Sequence, residues 1–317
     1  MKLFKNILYL AEPGLDQTAA LARAVSLAEN NQARLTLLQV GEPPRAGLLV
    51  EHGTLEAQDR MAASLEALAA PWRERLAINI EVRLGVPFLV AIQEVLAEGR
   101  DLIIKLASPE TGLLDRLLGG MDLQLLRKSP CPVWILSPRD RENYRRILAA
   151  VNFDPWRPEL ENDALNRRIL ELSSALALAD FAELHLVHSW EPLSEGMMRL
   201  WSDPDDVAKI ADSVNTELLR HQEGFERVLH KLRGWIGADA YDYLKPIPHL
   251  LRGSAPETIP ELVDRLQFDL VVMGTAGRSG ISGLIIGNTA EAILGQLKCA
   301  LLAIKPQGPA SPVTLPE

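Results

Sequence analysis

Short apolar runs alternate with stretches of helical period along the whole chain. Ile7–Ala11 is a compact apolar run, and Gln17–Glu29 follows with apolar residues three and four apart. Arg34–Val40 reads as a strand, Glu56–Leu76 as a helix, and Ile78–Arg83 alternates as a half-buried strand does. Pro87–Ala97 opens with proline, which suits a first helical turn. Leu102–Leu106 then reads as a strand, Leu113–Arg127 as a helix and Pro132–Leu136 as the last strand. The order is βαβαβαβαβ. Short strands that are apolar throughout imply parallel strands covered on both faces, joined by right-handed crossovers. The predicted fold class is α/β, a doubly wound Rossmann-like sheet of five parallel strands with helices on both faces.

The pattern then repeats. Asp101 to Leu136 aligns without a gap on Asp269 to Ile304, so that Gly112 meets Gly280, Gly119 meets Gly287, Leu126 meets Leu294 and Cys131 meets Cys299. Gly85 meets Gly253 at the same offset. Upstream, KNILYLAEP (Lys5 to Pro13) resembles RRILAAVNFDP (Arg145 to Pro155), and ARLTLLQVGEP resembles ELHLVHSWEP. A repeat of half the chain is a tandem pair of domains, not a solenoid. The expected boundaries are residues 1–138, 144–306 and a tail at 307–317. The second copy has a longer second helix. Ser202-Asp203-Pro204-Asp205-Asp206 starts it, and Val207, Ile210, Val214, Leu218, Phe225, Leu229, Leu232 and Ile236 form its expected apolar stripe.

Composition narrows the function classes. The 317 residues carry a formal net charge of −9, so broad attraction to nucleic acid or anionic membrane is not expected. Cys131 and Cys299 lie far apart and form no zinc spacing or disulfide framework. MKLFKNILYLAEPG is broken by Glu12 and Pro13 and reads as a first strand rather than a signal peptide. No apolar run approaches the roughly 18 residues of a membrane span. The expected location is the cytoplasm.

The stretch with most chemistry follows Asp269–Met273. GTAGRSGISGLIIGNTA holds five glycines and no acid, and runs from a strand end into a helix start. In an open parallel sheet ligands bind beyond the carboxyl ends of the strands. Glycine there lets backbone N–H groups approach a ligand, and a helix N-terminus favours phosphate. The alternative is a loop whose glycines only serve its turns. The spacing is neither the dinucleotide fingerprint nor a Walker loop.

Gly274-x2-Gly277-x9-Gly287-Asn288 resembles the ATP-binding motif of the universal stress proteins, and the duplicated plan resembles the tandem members of that family. The resemblance implies adenine-nucleotide alpha hydrolase-like domains and an ATP pocket, with or without magnesium, in the second copy. The implied binding residues are Asn152, Ser189, Met273, Gly274, Thr275, Gly277, Arg278, Gly287, Asn288 and Thr289. No triad, paired-carboxylate site or metal cluster stands out in the sequence, so no catalytic residue is assigned and at most slow hydrolysis is expected. The resemblance also implies that the two last strands pair within one chain as a pseudo-dimer, and a homodimer stays open. Asn152 stands where family members usually carry Asp. Asp154 could substitute or be a turn residue before Pro155. Arg278 could meet phosphate or sit in solvent, and His188 reads as a hydrogen-bonded strand histidine. In the first copy Leu106 and Pro109 replace two motif glycines, and Ala11, next to Glu12, stands at the end of the first strand. That half is expected to be a structural partner or to take a more apolar ligand.

Overall fold

The computed structural model describes residues 3–42, 50–107, 120–138, 140, 143–157, 163–192, 207–275, 286–306 and 311–315. Two compact units emerge. One comprises Met1–Asn143 with Thr275–Glu317, the other Tyr144–Gly274.

In the first unit the strands are β1 (Asn6–Leu10), β2 (Arg34–Gly41), β3 (Ile78–Leu84), β4 (Leu102–Leu106), β5 (Val133–Leu136) and β10 (Ala300–Ile304). Their order is β3-β2-β1-β4-β5-β10. The first five run parallel; β1, β4 and β5 are buried throughout, as interior parallel strands are, whereas the edge strand β3 alternates and is only partly buried. β10 joins β5 antiparallel, with Leu301 opposite Ile135 and Leu302 opposite Trp134. The expected pairing of the two last strands is thus present, and it makes the sheet mixed. β1, β4, β5 and β10 are buried along their whole length. Each fully buried Leu or Ile there contributes about 1.5–3 kcal/mol.

The helices of this unit are α1 (Thr18–Asn31), α2 (Val50–Ala69), α3 (Pro87–Glu98), α4 (Met121–Lys128) and α9 (Asn288–Leu294). The expected helix at Glu56–Leu76 stops early. Pro71 enters a 3-10 turn at Ala70–Trp72, because its ring removes an N–H and favours a fresh first turn. The expected helix Leu113–Arg127 is described from Met121 on, its earlier part lying outside the described residues.

The second unit holds β6 (Arg146–Ala150), β7 (Glu183–Trp190), β8 (Ile247–Arg252) and β9 (Leu270–Gly274), in the order β9-β6-β7-β8 and all parallel. α5 (Asp163–Asp180) packs on β6 and β9, α6 (Val207–Ile236) on β8 and α8 (Ala255–Leu266) on β7, with the short α7 (Ala238–Leu244) against α6. The chain leaves β6 toward β7 and returns to β9 on the other side. Winding therefore switches at β6, beyond whose carboxyl end a crevice belongs. Among the described residues no helix is long and apolar enough to cross a membrane.

Candidate functional site

The carboxyl edge of the second unit is built on Asn152, the second residue after β6. Its backbone is clamped by the side chain of Asn166 on α5. Asn152 N–H donates to Asn166 Oδ1 at 3.2 Å, and Asn166 Nδ2 donates to Asn152 O at 2.8 Å. Asn166 is buried and Asn152 is exposed, so the amide of Asn152 is presented outward from a fixed backbone. Ser189 lies in β7. Its Oγ is 2.8 Å from Thr258 Oγ1, which donates to Ser254 O. Thr258's one proton is thereby used, so Ser189 donates to it and keeps its own lone pairs. Met273, on β9, is buried opposite Ala150. Gly274 follows it, and a Cβ there would lie 2.8 Å from the Leu165 side chain on α5. This glycine serves helix packing at least as directly as any ligand.

The glycine loop leaves from Thr275. Thr275 N–H donates to Ile304 O at 3.1 Å, and Gly287 N–H donates to Thr275 O at 3.0 Å. The first bond fixes the start of the loop to β10, and the second ties its two ends together and engages the N–H of Gly287 itself. Thr275 is 1% exposed, and its Oγ1 has no hydrogen-bond partner among the described residues. An unsatisfied buried hydroxyl costs about 1–3 kcal/mol, so its position calls for a reason. Asn288 and Thr289 are exposed at the start of α9, in the turn whose N–H groups have no intrahelical acceptor. Glu291, also in that turn, is engaged by Arg127 at 2.8 Å. Gly277 and Arg278 lie outside the described residues.

The profile of the Universal stress protein family matches residues 3–137 and again residues 143–305. The chain belongs to the universal stress protein family. Universal stress protein E of Escherichia coli strain K12 is 29% identical over 331 residues, covering 100% of this chain and 99% of that protein. The universal stress protein E homolog of Haemophilus influenzae is also 29% identical, over 96% of this chain and 98% of the homolog. A functionally unknown protein from Pseudomonas aeruginosa PAO1 has a similar structure, with a TM-score of 0.70, 27% identity and coverage of 96% of this chain and 93% of that one. A universal stress protein from Archaeoglobus fulgidus DSM 4304 shares the fold at a TM-score of 0.64 and 17% identity, over 96% of this chain and 98% of its own.

The two universal stress protein halves treat the same position differently. Ile7 pairs with Leu102, and Ile147 pairs with Leu270. Glu12 therefore corresponds to Asn152, which corrects the expectation that Ala11 does. Gln17, before α1, clamps Glu12 as Asn166 clamps Asn152: Glu12 N–H donates to Gln17 Oε1 at 3.0 Å, and Gln17 Nε2 donates to Glu12 O at 2.7 Å. Beside Glu12 sits Lys105, fully buried at the counterpart of Met273. Its Nζ pairs with Glu12 Oε1, lies 2.9 Å from Asp122 Oδ1 and donates to Leu106 O at 2.9 Å. A lysine and two acids thus fill a position where an apolar ligand was one of the two expectations.

Sequence reasoning missed a cluster on α6. The buried face of this helix runs through Glu217, Gly224, Phe225, Val228 and Leu232, with His221 half-buried among them. It is rotated from the expected stripe, of which Leu218 and Leu229 are only half-buried. His221 stacks on Trp190 with centroids 5.0 Å apart, and its Nδ1 is 3.1 Å from His188 Nε2. His188 stacks on Phe153 at 3.8 Å, and its Nδ1 is 3.3 Å from Val151 O. Gly224 lets Phe153 seat, since a Cβ would overlap its ring. The signal was the spacing Glu217-x3-His221-x2-Gly224, one face of a helix carrying polar and small residues. His188 is buried and hydrogen-bonded, as expected of a strand histidine. Asp154 Oδ1 accepts Trp156 N–H at 2.9 Å, which is the turn role. Cys131 is a buried core residue whose thiol is pushed up to about 12 by burial.

Proposed function

We propose that this universal stress protein binds ATP or a related adenine nucleotide through its second domain (144–306), in the cytoplasm, as part of a stress response. The observation that carries the reading is Thr275. Its buried hydroxyl, without a hydrogen-bond partner among the described residues, stands at the base of a glycine loop whose two ends are tied together. A phosphate oxygen is a fitting acceptor for it. The loop's glycines and the open first turn of α9, with Asn288 and Thr289, add donors of the same kind. Asn152 and Ser189 offer an amide and a hydroxyl to a nucleoside. Magnesium would come on the nucleotide's own phosphates: Asn152 brings no charge, and Asp154 already serves Trp156. The sequence supplies no nucleophile and base pair for turnover, so hydrolysis is at most slow.

Thr275→Val tests this. Replacing an unsatisfied hydroxyl with a methyl leaves the free protein as stable as wild type, or up to about 1 kcal/mol more stable. The same change weakens ATP binding by about five- to tenfold. Calorimetric titration of wild type should give about one ATP per chain. Absence of binding at millimolar ATP, or a Thr275→Val protein that binds as wild type does, overturns the reading.

A further inference from the structure

Where α3 lies on the sheet of the first unit, it places Glu94 beside Glu81 and Arg83 of β3 and beside Arg100, which precedes β4. The two acids are served unequally. Glu81 meets Arg83 Nη2 at 3.0 Å and Arg100 Nη2 at 3.2 Å, one on each carboxylate oxygen. Glu94 Oε1 meets Arg83 Nε at 3.3 Å, but its Oε2 lies 3.7 Å from Arg100 Nη2, beyond a hydrogen bond. The other arm of Arg100 is committed elsewhere, since Nη1 donates to Asn6 Oδ1 at 2.9 Å and to Thr36 Oγ1 at 2.8 Å. Glu94 is 9% exposed, and its Oε2 has no hydrogen-bond partner among the described residues. A buried carboxylate oxygen without a donor is costly, and within its reach stands a second acid, Glu81. A proton on Glu94 Oε2 turns that contact from a repulsion into an O–H···O⁻ bond.

We propose that Glu94 and Glu81 hold one proton between them, a latch that draws α3 onto β3 as the pH falls. The charged groups facing the pair are Arg83 from β3 and Arg100 from the segment before β4. β1 and β2 present the neutral Asn6 and Thr36 through Arg100, and on α4 the ammonium of Lys128 faces the Phe88 ring instead. Burial, and then the charge of Glu81, pushes the Glu94 carboxyl up, and the two guanidiniums offset this only in part. The folded chain thus holds this proton at a pH where the unfolded chain has released it. Its contribution is full below about 4.3, the ordinary glutamate value, and is lost as the pH rises through the folded value. The second half does not repeat the cluster. On the alignment that pairs Gly85 with Gly253, Glu81, Glu94 and Arg100 correspond to His249, Leu262 and Phe268. His249 is held below its ordinary range, so a falling pH weakens the second unit at the place where it tightens the first.

The experiment compares wild type with Glu94→Gln in the full chain. The glutamine amide donates at every pH in place of the carboxyl proton, so the variant should fix the latched state. It should melt close to wild type at pH 5 and about 2–4 °C above it at pH 8, where wild type has lost the value of one hydrogen bond. Carboxyl carbon-13 NMR of wild type should show one glutamate titrating above the ordinary range, and Glu94→Gln should lack that resonance. A variant no more stable than wild type at pH 8 overturns the inference, because the guanidiniums would then need the carboxylate. So does a wild type in which every glutamate titrates within the ordinary range or below it, or an elevated titration that persists in the variant. Should Glu94→Gln fail to fold, the wild-type titration still decides, together with Glu81→Gln. That change removes the neighbouring charge and should bring the elevated midpoint down, and an unmoved midpoint overturns the inference.

Discussion

Replacing Lys105 with Met removes one ammonium from the interior of the first unit. The lysine side chain is fully buried, and its partners Glu12 and Asp122 are 20% and 6% exposed. Without the lysine, the carboxylates of Glu12 and Asp122 lose the ammonium that both of them contact in an interior with little water. Removing one partner of a buried ionic group costs about 3–5 kcal/mol, and the partial exposure of Glu12 favours the lower end, about 3–4. For a body of this size each kcal/mol moves the melting temperature by about 2–4 °C, so the drop should be roughly 6–16 °C. The compensated variant is Glu12→Asn with Lys105→Met and Asp122→Ala, which installs the residues of the second half, Asn152, Met273 and Ala290. Uncharged side chains that pack need no cation, so this triple variant should recover to within about 1 kcal/mol of wild type. Scanning calorimetry of the three proteins at pH 7 reads the comparison. A Lys105→Met protein that melts within a degree of wild type would refute the reasoning, as would a triple variant no more stable than the single one.

Leu302→Pro puts a residue without a backbone N–H in the middle of β10, opposite Trp134, and should lower the urea midpoint. An unchanged midpoint would mean that the β5–β10 pairing carries little stability. A second effect depends on pH. His249 is held down to about 4, chiefly by burial and then by His185, whose Nδ1 lies 2.8 Å from His249 Nε2. The unfolded chain takes up this proton below about 6.5 and the folded one only near 4, so stability falls between those values and then levels. The full shift corresponds to about 3 kcal/mol, which half-exposure of the ring reduces to roughly 1–2. His249→Gln should flatten that part of the stability profile, and a profile unchanged by the substitution would rule the pair out as its source.

The parts of the fold that follow from short-range pattern were legible. Apolar runs such as Asp101–Leu106 and Asp269–Met273 marked buried strands, and their repetition marked two equivalent halves. The sequence could not show the role of Lys105. A cation at the end of an apolar strand reads as the strand's exit into solvent. Its burial depends on Glu12 and Asp122, which only folding brings to it. The stripe on α6 was misphased for a related reason. Leucines at 218 and 229 outweigh Glu217 and His221 on any hydropathy scale, yet His221 finds polar and aromatic partners on β7 and after β6, and Glu217 is buried near it on the same helix. The glycine motif gave the loop's position. The tie between Thr275 and Gly287, and the orphaned Thr275 hydroxyl, are tertiary facts.

The pairing of β5 with β10 has a consequence for synthesis on the ribosome. β5 ends at Leu136 and its partner at Ile304, so 168 residues (304 − 136) must be added before that side of β5 can be covered. At about 5–20 residues per second this takes roughly 8–34 s. Throughout that interval the nascent first half has Val133, Trp134, Ile135 and Leu136 at an open sheet edge, a template for pairing with any other emerging strand. Ribosome-bound chains arrested before Ala300 should therefore be captured by holding chaperones, and should be released once β10 has emerged.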